Sequence, residues 1–225
     1  MSLLDHILIH SPTSLDVLTV LREDILTGRI KMGTHLKKMD LANQFNVSRG
    51  SVSQALYKLE MEGLVESEGK GRAKVIGITE KDVNDMFDLR LFLEKKAMEI
   101  LHAQDYVDFS PLMQVLKGMK EENDQGEEAD PVLMARMGFN IHVTMFQMAE
   151  NKALFQAWKV ASGLMQEIIY INGHFVSAAE TYRKHQVLSD CIIQRWPNSV
   201  AVIEEHLIEG SRDIYIQALH NIKSR

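Results

Sequence analysis

The stretch from Leu36 to Ile76 constrains the fold most, because the period of its apolar residues changes within a few tens of residues. Leu41, Ala42 and Phe45 fall at helical spacing, and Asn46-Val47 forms a tight break. Ser48 can then cap a further helix through its side-chain oxygen, and Val52, Ala55, Leu56 and Leu59 share one face of it. Two short helices joined by a turn, the second polar outside, describe a helix-turn-helix. The outer face of that second helix carries Arg49, Gly50, Ser51, Ser53, Gln54 and Tyr57. Beyond Gly63 the pattern becomes strand-like: residues 64–67 and 73–76 flank Glu68, Gly69, Lys70, Gly71 and Arg72. Glycine at two of these positions permits the positive dihedrals of a hairpin, with Lys70 and Arg72 at its tip. Such a wing is placed to touch phosphate or a minor groove. Ahead of all this, Ser14 can cap a helix with the stripe Leu18, Leu21 and Ile25, and Gly28 stops it. Three amphipathic helices and a hairpin would, taken alone, also describe any small globular unit.

Charge distribution says more than net charge. The chain carries −6 overall, which by itself does not suggest a nucleic-acid partner. Up to Ile78, however, ten Lys/Arg face nine Asp/Glu, whereas fifteen face twenty-two beyond it. A near-neutral front can bind DNA where its cations cluster, and an acidic back half stays off the phosphates. No apolar run is long enough to span a membrane. The N-terminus lacks the basic, apolar and small-residue regions of a secretory signal. Cys191 is the one cysteine, which excludes an intrachain disulfide and points to a reducing, cytoplasmic setting.

The string LREDILTGRIKMGTHLKKMDLANQFNVSRGSVSQALYKLEMEGLVE, which begins at Leu21, resembles the GntR family of bacterial regulators across nearly its whole winged-helix module. The matching pieces are Leu21-Arg22-x-x-Ile25-Leu26-x-Gly28, Leu41-Ala42, Val47-Ser48-Arg49 and Leu59-Glu60-x-Glu62-Gly63-Leu64-Val65. The resemblance implies that Ser48, Arg49 and Gly50 begin the DNA-facing side of the recognition helix. Arg49 would then read a guanine edge through a bidentate pair, and Ser48 would hold a phosphate. Ser51, Ser53 and Gln54 on the helix, with Gly69, Lys70 and Arg72 in the wing, complete the expected DNA-binding set. The family usually continues Val-Ser-Arg with Thr-Pro-Val-Arg-Glu-Ala-Leu, whereas this chain reads Gly50-Ser51-Val52-Ser53-Gln54-Ala55-Leu56. Ser53 thus replaces a second arginine, and Glu68 places an anion in the wing. An unusual operator, or weaker binding, is the consequence.

From Thr79 onward the sequence predicts helices. Thr79 with Asp82 forms a capping-box-like start, and the pattern runs to about His102. Ser110-Pro111 and Asp130-Pro131 each read as a cap followed by proline at the first helical position. Residues 121–130 between them read as a solvated acidic loop. Further helices are predicted over 153–170, over 178–195 and from Ser199 to the end. The expected fold is therefore mainly α: a winged helix-turn-helix with a β-hairpin wing over 1–78, then an all-α bundle of about six helices over 79–225.

That second half resembles the FCD effector domain of the FadR-like branch. The resemblance rests on Leu89-Arg90-x-x-Leu93-Glu94, on His142 nine residues before Asn151, and on His185 and His206 in the last two helices. It implies a divalent-metal site of one Asp and three His, with His142, His185 and His206 as the histidines. The Asp position, four residues before the first His, is Gly138, and the 185–206 spacing is about one residue short. Three imidazoles with an open position can hold zinc, with nickel or manganese as alternatives, completed by water or by a ligand carboxylate. Arg90 and Asn151 are the further pocket candidates. Arg90 reads either as an anchor for an anionic effector or as an ion pair with Glu94 one turn on. Met134, Met137, Met145 and Met148 read as core filling or as an adaptable cavity lining. The sequence pattern assigns no role to His174 or His220.

The implied function is a ligand-responsive, homodimeric transcription regulator that reads a roughly palindromic DNA operator. By resemblance it would be a repressor released by a small organic acid or sugar acid. One alternative is a metal-independent sensor of an acyl-type ligand. Another is a zinc enzyme with a DNA-binding appendage. The chain has no Gly-rich phosphate loop, no Gly-x-Ser-x-Gly and no His-Glu-x-x-His, so it is not expected to be an enzyme. Ser53 and Glu68 leave room for a third, an interaction module that no longer binds DNA under control.

Overall fold

The computed structural model describes residues 14–172 and 176–223. His174, and the side chain of Ser14 with its expected cap, lie outside what is described. The chain divides into two compact units, Met1–Thr79 with Leu219–Arg225, and Glu80–Ala218.

In the first unit the elements run α1 (Ser14–Leu26), β1 (His35–Lys37), α2 (Lys38–Phe45), α3 (Arg49–Met61), β2 (Val65–Gly69) and β3 (Arg72–Val75). The predicted stripe of α1 is buried, as are Leu41, Ala42 and Phe45 on α2 and Val52, Ala55, Leu56 and Leu59 on α3. Asn46 ends α2 in the left-handed region (φ 53°), so the turn between the two helices is made by a residue that tolerates this conformation. Arg22 holds the end of α3 from α1, with Nε 2.8 Å from one Glu62 oxygen and a terminal nitrogen 2.5 Å from the other.

The hairpin is tighter than the sequence suggests. Its strands extend through Gly69 and from Arg72, leaving Lys70-Gly71 as the turn. Gly69, Lys70 and Gly71 all have positive φ, so the tip also places a lysine in the left-handed region. The register slips between Ser67 and Gly69, which accommodates Glu68 as an extra residue in β2. β1, too short to be read from periodicity, pairs antiparallel with β3 and makes a three-stranded sheet in the order β1-β3-β2.

The second unit is helical: α4 (Glu80–Ala103), α5 (Ser110–Asn123), α6 (Pro131–Met148), α7 (Lys152–Asn172), α8 (Ala178–Ile193) and α9 (Ser199–Glu204). A π-helical segment (Glu205–Arg212) then leads into α10 (Asp213–Lys223), of which the residues from Leu219 onward belong to the first unit. The long last helix expected from Ser199 onward is therefore interrupted. Asp130 caps α6 as expected, accepting from Val132 N at 2.8 Å and Leu133 N at 3.3 Å. At α5 the cap position is Phe109, and it is Asp108 that accepts from Ser110 N, at 2.9 Å. The expected acidic loop is partly ordered: a 3₁₀ turn forms at Gly126–Glu128, and the buried Glu122 accepts from Asp130 N at 2.7 Å.

Phe87, Met98, Leu112, Met119, Met134, Met145, Phe146 and Trp158 lie in the bundle core. Of the four methionines singled out, Met134 and Met145 fill core, while Met137 and Met148 are half-buried. No helix among the described residues is long and apolar enough to cross a membrane.

Candidate functional site

The first unit places its polar chemistry outside. Ser48 caps α3, its hydroxyl oxygen accepting from Ser51 N at 3.1 Å and lying 3.0 Å from the Ser51 hydroxyl. Arg49, Gly50 and Gln54 are exposed, and Ser51 and Ser53 are half-buried on the same helix. The Arg49 guanidinium reaches back to the Met39 sulfur on α2, 2.9 Å away, so its side chain rests against the helix-turn-helix rather than on an acid. In the wing, Gly69, Lys70 and Arg72 are exposed. Lys37 pairs with Arg72 across the sheet and His35 with Lys74, so cations of β1 and β3 share the outward face. Glu68 does not stand alone in the wing: its carboxylate accepts from His35 Nδ1 at 2.8 Å. Sequence reasoning missed this partner because β1 itself was missed.

The second unit places its chemistry inside. His142 comes from the middle of α6, His185 from α8 and His206 from the π segment. Their ligand atoms lie within 4.8 Å of one another. His142 and His206 are buried and His185 is half-buried. A carboxylate can only accept, so His142 Nδ1 donates its hydrogen to Glu94, 2.8 Å away, and Nε2 is the nitrogen left to act as a ligand. The Thr181 carbonyl, 2.7 Å from His185 Nδ1, does the same for that ring. Held this way, the two rings present Nε2, as ligating imidazoles do when a carboxylate or carbonyl stands behind them.

His142 Nε2 and His206 Nε2 are 3.2 Å apart. Two nitrogens about 2.0 Å from one tetrahedral ion stand roughly 3.3 Å apart, so this pair already has the spacing that a shared ion requires. Burial, with His142 beside it, pushes the His185 ring down to about 3, and burial pushes His206 well below its ordinary 6.5. Both rings are thus neutral, the form that binds metal. The donor set fits a borderline divalent ion such as zinc.

Behind the histidines, Glu94 is fully buried. Burial alone would raise its carboxyl, but Arg90, His142 and Trp158 overcome this and hold it near 2. Arg90 gives two bonds to one Glu94 oxygen, at 2.9 and 2.7 Å, and Trp158 Nε1 donates to the same oxygen at 2.8 Å. The ion-pair reading of Arg90 is therefore realised in the geometry, although the residue also lines the cavity.

That cavity, about 90 Å³, is lined by the three histidines, Arg90 and Lys184 among the polar residues and by Phe139, Leu207 and Tyr215 among the apolar ones. Among the described residues no methionine lines it. Asn151 is not part of it; it is exposed and caps α7, accepting from Leu154 N at 3.0 Å. Sequence reasoning missed Lys184 and Trp158. Lys184 is adjacent to a candidate ligand, but helical geometry turns consecutive residues to different faces, so adjacency carried no signal.

Comparison with known proteins places both units. Residues 13–75 match the family model described as bacterial regulatory proteins, gntR family, and residues 85–209 match the FCD domain. The gluconate operon transcriptional repressor of Bacillus subtilis is 31% identical over 163 residues, covering 71% of this chain and 65% of that protein. The probable D-xylose utilization operon transcriptional repressor of Paenarthrobacter nicotinovorans is 22% identical and covers 75% of this chain. The matched part thus spans about 65% of the length of the gluconate repressor. Among solved structures, E. coli McbR/YncC superposes with a TM-score of 0.60 over 91% of this chain and 97% of its own, at 16% identity. At that identity the likeness concerns the fold, which is the expected winged helix followed by a helical bundle. With one unit matching each model in chain order, the protein belongs to the gntR family of bacterial regulatory proteins, in the branch that carries an FCD domain.

Proposed function

We propose that this protein is a ligand-responsive, homodimeric DNA-binding transcription regulator that acts as a cytoplasmic repressor and is not an enzyme. The single observation that carries the reading is the separation of its chemistry. Arg49 and the wing cations are exposed on the outside of the winged helix, while the three histidines converge on a cavity in the helical bundle. Ser48, Arg49, Gly50, Ser51, Ser53 and Gln54 face the operator, with Gly69, Lys70 and Arg72 of the wing. Arg49 reads a base edge, and Lys70 and Arg72 contact the backbone. His142, His185 and His206 hold a divalent metal, zinc first and nickel or manganese as alternatives. When bound, the ion supplies a Lewis-acidic anchor for the effector.

The effector is a small organic acid or sugar acid. A cavity of about 90 Å³ has room for a compact molecule beside the histidines. The ligand acts only through different affinities for the DNA-bound and DNA-free arrangements. That relatives are named as repressors of sugar and sugar-acid operons supports this direction.

The test begins with selection of binding sites from a random duplex pool, which should enrich a roughly palindromic site. Titration of carboxylic and sugar acids against that labelled site should then weaken binding. An effector that tightens the complex refutes the repressor reading, and failure to enrich any site refutes DNA binding.

A further inference from the structure

Gly138 sits one turn before His142 on α6, and the imidazole of His185 lies directly against it. A Cβ placed on residue 138 would stand 2.6 Å from His185 Cε1, 2.8 Å from Nε2 and 3.1 Å from Nδ1. Real Cβ atoms do not approach ring atoms so closely, and His185 is held from behind by the Thr181 carbonyl. A side chain at 138 and the present position of His185 are therefore mutually exclusive. The ring from α8 occupies the space that a side chain on α6 would need.

The consequence lies in charge. Among the described residues no Asp or Glu lines the cavity. The nearest buried acid, Glu94, has one oxygen on Arg90 and Trp158 and the other on His142, and its charge is matched by the guanidinium. Glu180 outside the lining pairs with Arg183 at 2.9 Å and with Lys184 at 3.3 Å. Lys184 adds a cation to the wall, where its Nζ donates to the Gly210 carbonyl at 2.7 Å. Three imidazoles, an ammonium paired with Glu180 outside the lining and a guanidinium paired with Glu94 line the cavity, and no carboxylate among the described residues joins them.

We propose that Gly138 makes this a carboxylate-free metal site whose missing negative charge is supplied by the ligand, so that a divalent ion and a small carboxylate bind only weakly apart and strongly together. The inference rests on the reading of His142, His185 and His206 as metal ligands. It adds that an ion held by three neutral imidazoles keeps its full charge in a poorly solvated pocket. A carboxylate entering the open position cancels that charge, and by linkage each partner raises the other's affinity by the same factor. Gly138 is then a specificity-determining residue. It excludes a built-in carboxylate, leaves His185 as the third nitrogen, and selects an anionic effector over a neutral one.

Cobalt(II) and acetate test this on the full-length, chelator-stripped protein, at constant ionic strength set with perchlorate. Cobalt affinity is measured by competition with a chelator, and its visible spectrum is recorded with and without acetate. The expected result is that acetate raises cobalt affinity about tenfold or more and changes the visible bands. Gly138→Asp, which supplies an internal carboxylate and displaces His185, should bind cobalt with little dependence on acetate. Gly138→Ala should weaken cobalt binding by pushing the ring away, while the far-ultraviolet dichroism stays that of the parent. Cobalt binding that ignores acetate overturns the inference and leaves the metal reading standing. The same holds if Gly138→Asp keeps the full acetate effect. Absence of cobalt binding with or without acetate overturns both.

Discussion

The two units solve opposite problems. The winged helix keeps its working side chains in water: Arg49, Gln54, Lys70 and Arg72 are exposed on a scaffold fixed by apolar residues on the other faces. The bundle takes charge out of water, with Arg90 3% and Glu94 0% exposed, and answers that charge locally through the bonds that Arg90, Trp158 and His142 make to Glu94. In the first unit the residues proposed to face DNA lie outside the apolar core. In the second, the residues that hold the site also hold the core.

Three substitutions or conditions would break or sharpen that contrast. The largest effect belongs to Glu94→Ala, which leaves Arg90 buried without its counter-ion and removes the acceptor from His142 and Trp158. Losing one partner of a buried pair costs about 3–5 kcal/mol, so chemical denaturation should show a much lower midpoint. A midpoint within error of the parent would mean that the network does not support the bundle.

Arg49→Ala should do the reverse. It should remove about 1–3 kcal/mol of operator affinity and relax the preference at one base pair, with the melting temperature unchanged. A fall in melting temperature, or an unchanged affinity on the selected site, would end the separation of roles drawn above.

The third is a pH profile of stability on chelated protein. His185 is pushed down to about 3 and His206 well below 6.5, so between these values the unfolded chain binds more protons than the folded one. Stability is therefore complete above about pH 6.5 and declines as pH falls toward 3. Glu94, held near 2 against an ordinary 4.5, adds a further loss below 4.5. Urea midpoints at pH 7.5, 6 and 5 should descend in that order, and a flat series would show that the imidazoles are not shielded.

The same contrast explains what could be read from the sequence. The winged helix is contiguous: period, cap and turn chemistry sit next to one another, so Ser48 as cap, the α3 stripe and the glycine tip all followed from local rules. What escaped were β1, three residues long, and with it the tie between His35 and Glu68. In the bundle the helices were legible from caps and prolines, and the three histidines from family resemblance. Their supports were not legible. Glu94, His142 and Trp158 lie on α4, α6 and α7, and only the packing of those helices brings His142 and Trp158 each to 2.8 Å from Glu94. Gly138 read as a missing ligand, because no rule of spacing shows that His185 will occupy the space it leaves.

The π segment that carries His206 gives the bundle a mechanical property. Wide turns of this kind hold one residue more than an α-helix of the same length, and they recur where function is sited. Here Ser211 Oγ donates to the His206 carbonyl at 2.9 Å and Lys184 takes the Gly210 carbonyl, so side chains steady the widened turns. Passing that surplus residue along the chain would advance α10 by about 1.5 Å and turn it by roughly 100°. His206 thus sits on the segment through which such a shift would pass, so its place in the cavity and the phase of the helix that follows would be linked through the chain itself.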